Sequence, residues 1–271
     1  FLMVCCIILS GCSTWDMTGT AALDRSEEKD ARPLVVTTIF PYYDFVRQIA
    51  GDQVELQMLL KPGEETHSYE PTPQDIIAIQ NCDLFIYVGG ENDAWVEDIL
   101  ESMPDNGRKT LKLTDCVDTV EEEQKEGMKE ERDHDHEDGQ DQDSHDEESH
   151  SVHEIDEHVW TSPVNAEKIV EVLADQLEEL DQKNAAVYKE NAAEYEEKLQ
   201  ELDGQFREVV ENADSRLLIF GDRFPFRYLA EEYGLDYYAA FSGCASDTEP
   251  SAATMAFLIN KVKEEKVPTV L

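Results

Sequence analysis

Seven histidines occur in this 271-residue chain, and none follows His158. Neutral imidazole is a common ligand for zinc and other late first-row cations, so their placement is the first question. His67 lies within LKPGEETHSYEPTPQ, a turn-rich stretch from Leu60 to Gln74. His158 lies within DEHVWTSP, just before Ser162 and Pro163. The remaining five, His134, His136, His145, His150 and His153, fall between Glu121 and Glu157, where 18 of 37 residues are acidic and three are basic. A tract so poor in apolar residues cannot offset the cost of ordering and is expected to be a mobile loop. Its imidazoles and carboxylates suit weak, multiple cation binding; the plainer reading is a charged linker.

The two isolated histidines share a context. His67 follows a strand-like run, Val54 to Leu60, and precedes a helix start at Thr72, Pro73 and Asp75. Thr72 can cap, Pro73 suits the first helical position, and Asp75 suits the first turn. Ser162 and Pro163 make a second such start after His158. Loops between strands and helices gather at the carboxyl ends of parallel strands, where ligands bind. A single loop histidine is more often merely solvated, so the elements around it carry the argument.

Those elements alternate. Strands are expected at 33–41, 54–60, 84–88 and 110–113, with helices at 42–51, 72–81 and 93–103. This spacing indicates βαβ units and a parallel sheet. A helix from Ser162 to Leu180 and a second from 184 to 212 follow. The second has Tyr188, Ala192, Tyr195, Leu199, Leu202, Phe206 and Val209 spaced alternately four and three apart. At 1.5 Å per residue it is roughly 40 Å long, and the spacing would also suit a coiled coil. Beyond it come strands at 216–220 and 235–241, a stretch at 221–228 that leads into a helix through Tyr233, a helix at 251–265, and the opening of a strand at 268–271. No GxGxxG or GxxxxGK[ST] follows a strand, so nucleotide binding has no support.

The chain carries 62 acidic and 22 basic residues, a formal charge of −40. That excludes charge-driven binding to nucleic acid or an anionic membrane surface and suits a protein that meets cations. Residues 1–11, FLMVCCIILSG, are too short to span a bilayer and fit the end of a signal peptide. Residues 12–32 are polar and aperiodic and fit a tether. Of six cysteines, Cys5 and Cys6 fall in the signal segment. No CxxC occurs, which argues against a thiolate zinc site. Cys82 and Cys116 belong to opposite ends of the predicted sheet and are not expected to pair; Cys244 is left for a partner beyond Leu271. The chain is expected to be a fragment at both ends.

Leu9-Ser10-Gly11-Cys12 resembles the bacterial lipoprotein cleavage box, in which the cysteine is lipidated. GEETHSYEPTP and DEHVWTSP, an acidic histidine-rich insert between them and a long helix after them, resemble the zinc/manganese solute-binding lipoproteins of bacterial metal ABC transporters. The resemblance continues through RYLAEEYGL and TEPSAA and covers nearly the whole chain after the tether.

That resemblance implies two parallel-sheet α/β lobes joined by a long rigid helix, with a metal between them. The division would be a signal remnant at 1–11, a lipidated tether at 12–32, and an N-terminal lobe at 33–181 that carries the mobile loop 121–157. A linking helix at 182–212 and a truncated C-terminal lobe at 213–271 would complete it. His67 and His158 would ligate transported Zn2+, with Mn2+ as the alternative, and 121–157 would gather ions. The partners implied are an ABC permease and its ATPase, and the membrane through Cys12; the protein would be an extracytoplasmic monomer and not an enzyme.

One departure stands out. The family places a third histidine after the first strand of the second lobe, and this chain has none there. Asp222 is the nearest candidate, with a helix cap or an ion pair to Arg223 or Arg227 as its plainer role. A fourth ligand, a carboxylate, would fall beyond Leu271. Ligating imidazoles must be neutral, so binding is expected to weaken below about pH 6. Two alternatives belong to other classes: a zinc-dependent hydrolase, against which no HExxH or GxSxG occurs, and a surface adhesin or metal buffer.

Overall fold

Two apolar runs, LVVT and LFIY, set the first sheet. A computed structural model describes residues 32–61, 63–64, 69–128, 154–245 and 249–271. In it β1 (Leu34–Thr37) and β3 (Leu84–Tyr87) are the inner strands, flanked by β2 (Glu55–Met58) and β4 (Lys109–Lys112). The order is β2-β1-β3-β4 and every pairing is parallel. All four side chains of β3 are buried, as expected for a strand covered on both faces. Helices α1 (Phe40–Ala50), α2 (Pro73–Asn81) and α3 (Ala94–Ser102) link successive strands. The first strand ends earlier than its apolar run because Phe40 and Pro41 already belong to α1, where a proline fits the first turn.

The predicted start of α2 is a complete capping box. Asp75 N–H donates to Thr72 Oγ1 at 3.3 Å, and Thr72 N–H donates to Asp75 Oδ2 at 2.8 Å. Burial pushes the Asp75 carboxyl up, but the hydrogen bonds from Thr72 and Tyr69 outweigh it and hold it below its ordinary value.

After the sheet, α4 (Pro163–Leu180) is capped by Ser162, which accepts from Asn165 N–H. It packs along α5 (Ala185–Glu211), a helix of 27 residues. The first half of α5 is buried through Tyr188, Ala192 and Leu199 against α1 and α4. Its last turns leave that lobe: Leu202 is 40% and Val209 66% exposed. Phe206 instead stacks on Tyr233 with ring centroids 5.2 Å apart. The alternating apolar series therefore serves packing within one chain for half its length, then bridges to a second lobe.

That lobe contains β5 (Leu217–Ile219), β6 (Arg223–Phe224), α6 (Arg227–Tyr233), β7 (Asp236–Tyr238), β8 (Phe241–Ser242) and α7 (Ala252–Glu265). The single strand expected at 235–241 is split. β7 pairs with β5 and β8 pairs with β6, both parallel. Between them Ala240 N–H donates to Asp222 O at 3.1 Å, which carries the chain from one partner to the other. Phe224 stacks on Tyr237 at 3.6 Å in one small core, and Leu258 of α7 closes another over Ile219 and Phe241. Residues 268–271 are not a strand, although Leu271 N–H donates to Ile219 O and Gly221 N–H donates to Leu271 O, each at 2.9 Å.

The acidic tract is built at both its ends, where a mobile loop was expected. Glu121 bridges Ile155 in antiparallel fashion, Glu122 N–H donates to Glu154 O at 2.8 Å, and Asp156 N–H donates to Val120 O at 2.9 Å. Lys125 reaches Asp236 of β7 at 3.0 Å and lies over the Tyr237 ring. Backbone pairing and contacts to the second lobe supply what composition did not. Tyr228 of α6 completes the seam: its hydroxyl donates to Asp156 O at 2.6 Å and accepts from Val120 N–H at 3.4 Å.

Two outcomes are expected. Tyr228→Phe should lower the unfolding free energy by about 1–3 kcal/mol in urea titration, because a buried carbonyl loses its donor. The stability difference between the wild type and Asp75→Ala should be full at neutral pH. It should shrink as pH falls below about 4, since a carboxyl with a lowered folded pKa loses its contribution on protonation.

Candidate metal centre

His158 is fixed from three sides. A 3₁₀ turn at Val159–Thr161 starts from it, and its carbonyl accepts from Thr161 N–H at 3.1 Å and Thr161 Oγ1 at 2.8 Å. Asp156 Oδ1 accepts from His158 N–H at 2.8 Å and stands 3.1 Å from ring Nδ1. The ring lies 5.4 Å from that of Trp160, which meets Tyr42 edge-on at 5.5 Å. His158 is 7% exposed and Asp156 1%. A carboxylate on one ring nitrogen is how proteins orient an imidazole to ligate through the other, here Nε2.

Asp156 was missed in the sequence because it read as one more acid of the tract. Its signal was position: two residues before a histidine in a tight turn, it can reach both the backbone and the ring of that histidine. Glu157, next in the chain, is also buried and packs on Gly90, whose φ of 109° and lack of a side chain leave it room.

The second lobe meets this pair through the turn after β8. A Cβ added at Gly243 would lie 2.9 Å from Phe224 O, 3.1 Å from Asp156 Oδ2 and 3.2 Å from His158 Cε1. Glycine is favoured there chiefly by the close approach of Phe224 O, with Asp156 and His158 in tight contact behind it. Cys244 N–H then donates to Glu122 Oε1 at 2.6 Å. Asp156, His158 and Cys244 each offer one ligand atom, and these atoms all lie within 4.8 Å of one another. Burial pushes the Glu122 carboxyl up. Burial also pushes the Cys244 thiol up, and the charges of Glu122 and Asp156 push it further. The neighbourhood is thus rich in negative charge and suited to a cation.

His67, the five tract histidines and Cys12 fall outside the described residues. Beside His67, Tyr69 is half-buried, its ring 5.6 Å from that of Trp95. Asp222 is exposed and accepts from Arg223 N–H at 2.8 Å; it is not one of the group around His158. Cys82 and Cys116 are thiols pushed up by burial to about 12 and about 11, which keeps them protonated and unreactive. Cys82, Cys116 and Cys244 form no disulfide.

Two lobes with short parallel sheets, a long helix between them and an imidazole buried at their seam define an α/β class of two-lobed protein with a candidate metal centre. A family model described as "Zinc-uptake complex component A periplasmic", ZnuA, matches residues 35–271. The zinc-binding lipoprotein AdcA of Streptococcus pneumoniae is 35% identical over 253 residues, covering 91% of this chain and 46% of AdcA. The high-affinity zinc uptake system protein ZnuA of Bacillus subtilis is 33% identical over 269 residues, covering 99% of this chain and 78% of that protein. The crystal structure of the Zn(II)-bound ZnuA-like domain of Streptococcus pneumoniae AdcA aligns with a TM-score of 0.68 at 32% identity, over 89% of this chain and 78% of the domain. The chain belongs to the ZnuA family of zinc-uptake components. It spans about half the length of AdcA.

Asp156→Asn should weaken zinc binding roughly 10- to 100-fold, the usual loss when the group orienting a ligating imidazole is removed. Competition with a chromogenic chelator measures it, and an unchanged affinity would show that the ring needs no such support.

Proposed function

We propose that this chain is the extracytoplasmic zinc receptor of an ABC-type uptake system. It would be held to the membrane by lipid on Cys12 and would pass zinc to a permease and its ATPase. The observation that carries this reading is the buried Asp156–His158 pair at the seam of the two lobes, in a chain that matches the family over residues 35–271. In the mechanism, His158 ligates through the ring nitrogen opposite Asp156. His67 supplies a second imidazole from the loop before α2. Both must be neutral, so binding releases protons wherever a ligand was protonated. Closing the ion between lobes replaces its water with protein donors, and reopening returns it to the permease. No step makes or breaks a covalent bond in a substrate, in keeping with a family of binding components. The five tract histidines would gather ions before delivery, with affinity below that of the paired site. Manganese is the alternative cargo.

The test is competitive titration of the mature protein with zinc and manganese. It runs beside a His67→Ala, His158→Ala double variant and a deletion of 129–153. The deletion spares 121–128 and 154–157 because those residues hold the seam. One tight zinc site should vanish in the double variant and persist in the deletion. Zinc binding that instead follows the tract and ignores the two histidines would make the protein a surface metal buffer.

A further inference from the structure

Between residues 213 and 271 there is no histidine, and Asp222 is exposed and is not part of the group formed by Asp156, His158 and Cys244. The donor that the second lobe does bring to His158 is sulfur. We propose that Cys244 is a thiolate ligand of the transported metal, supplied from a different turn of the second lobe than the third imidazole the family resemblance implies, and that it tilts the site toward zinc and against manganese. This rests on the receptor reading above and concerns the same site.

Four observations support it. The Cys244 sulfur, a ring nitrogen of His158 and an oxygen of the Asp156 carboxylate that orients that ring lie within 4.8 Å of one another. Tetrahedral zinc, with bonds of about 2.0 Å to nitrogen and 2.3 Å to sulfur, places such atoms roughly 3.5 Å apart. The sulfur and the imidazole are therefore separated by at most about an ångström more than in a loaded site. The approach is set by backbone, because Gly243 leaves no room for a side chain between Phe224 O, Asp156 Oδ2 and His158 Cε1. Its position is held, because Cys244 N–H is bound by Glu122 at 2.6 Å. The turn also follows the end of β8 in a parallel pair, the end of strands where ligands gather.

Chemistry then gives the consequence. On binding, the thiol S–H bond breaks, its proton goes to solvent and a sulfur–metal bond forms. Thiolate favours zinc, whereas manganese favours carboxylate, carbonyl and water oxygen. A site built from imidazole and thiolate therefore discriminates by donor type, without relying on cavity size.

The experiment compares the mature protein with Cys244→Ser, Cys244→His and His158→Ala, using zinc, manganese and cobalt(II) as probes. In the wild type, cobalt should give a sulfur-to-metal charge-transfer band in the near ultraviolet, and Cys244→Ser should abolish it. Cys244→Ser should lose roughly 100-fold in zinc affinity, at or beyond the upper end of what is lost when a supporting group is removed, and should narrow the preference for zinc over manganese. Zinc binding should release one proton fewer, read by calorimetry in buffers of different ionisation enthalpy. Cys244→His should regain zinc affinity without the band. Circular dichroism melts establish that each variant folds. A Cys244→Ser protein with wild-type zinc affinity and an unchanged cobalt spectrum would overturn the thiolate. If His158→Ala still lost zinc in that case, the receptor reading would stand. If His158→Ala also bound zinc normally, the receptor reading would fall with it.

Discussion

Everything near the site depends on burying a carboxylate beside an imidazole. Asp156 is almost wholly inaccessible, and removing a charge from water is costly unless the protein supplies hydrogen bonds in its place. Its side chain is met by the backbone N–H and the ring of His158, and its own backbone is bound on both sides, by Val120 and by the Tyr228 hydroxyl. These contacts come from three separate stretches of chain. The pair can be buried only if those stretches converge, so the electrostatic demand and the docking of α6 are one constraint. It also explains why a glycine lies opposite: at position 243 the second lobe needs to come nearer than any side chain would allow.

The long helix answers a different demand. Its first half is an ordinary buried helix, with Tyr188, Ala192 and Leu199 in the main core. Its second half keeps the apolar spacing but exposes Leu202 and Val209, relying on Phe206 stacked against Tyr233 and on Arg207 held by Asp203 and Glu232. A continuous backbone of 27 helical residues resists bending by its own hydrogen bonds. It therefore sets the spacing between lobes without a large apolar interface around its distal half.

The sheet of the first lobe was legible in the sequence because local signals agreed. LVVT and LFIY read as buried strands, and Thr72-Pro73-Gln74-Asp75 and Ser162-Pro163 announced helices that begin where expected. The second lobe was less legible. LDYYAAF has the composition of one strand, and only tertiary pairing divides it between β5 and β6. Within the site, His158 was legible from its place before a helix start, whereas Asp156 was hidden among the tract's acids. Cys244 was hidden for a different reason. A thiolate site is usually recognised by paired cysteines at short spacing, and here the group that complements the thiol is an imidazole 86 residues earlier in the sequence, brought near only by the fold.

The bridge between Glu121 and Ile155 has a consequence for the length of the acidic insert. It joins the two ends of the acidic insert just outside the metal centre, so chain added or lost beyond it does not pull on Asp156 or His158. Closing a loop costs free energy that grows only with the logarithm of its length. A change in length between residues 128 and 154 therefore costs little and reaches the geometry around Asp156 and His158 only through that bridge.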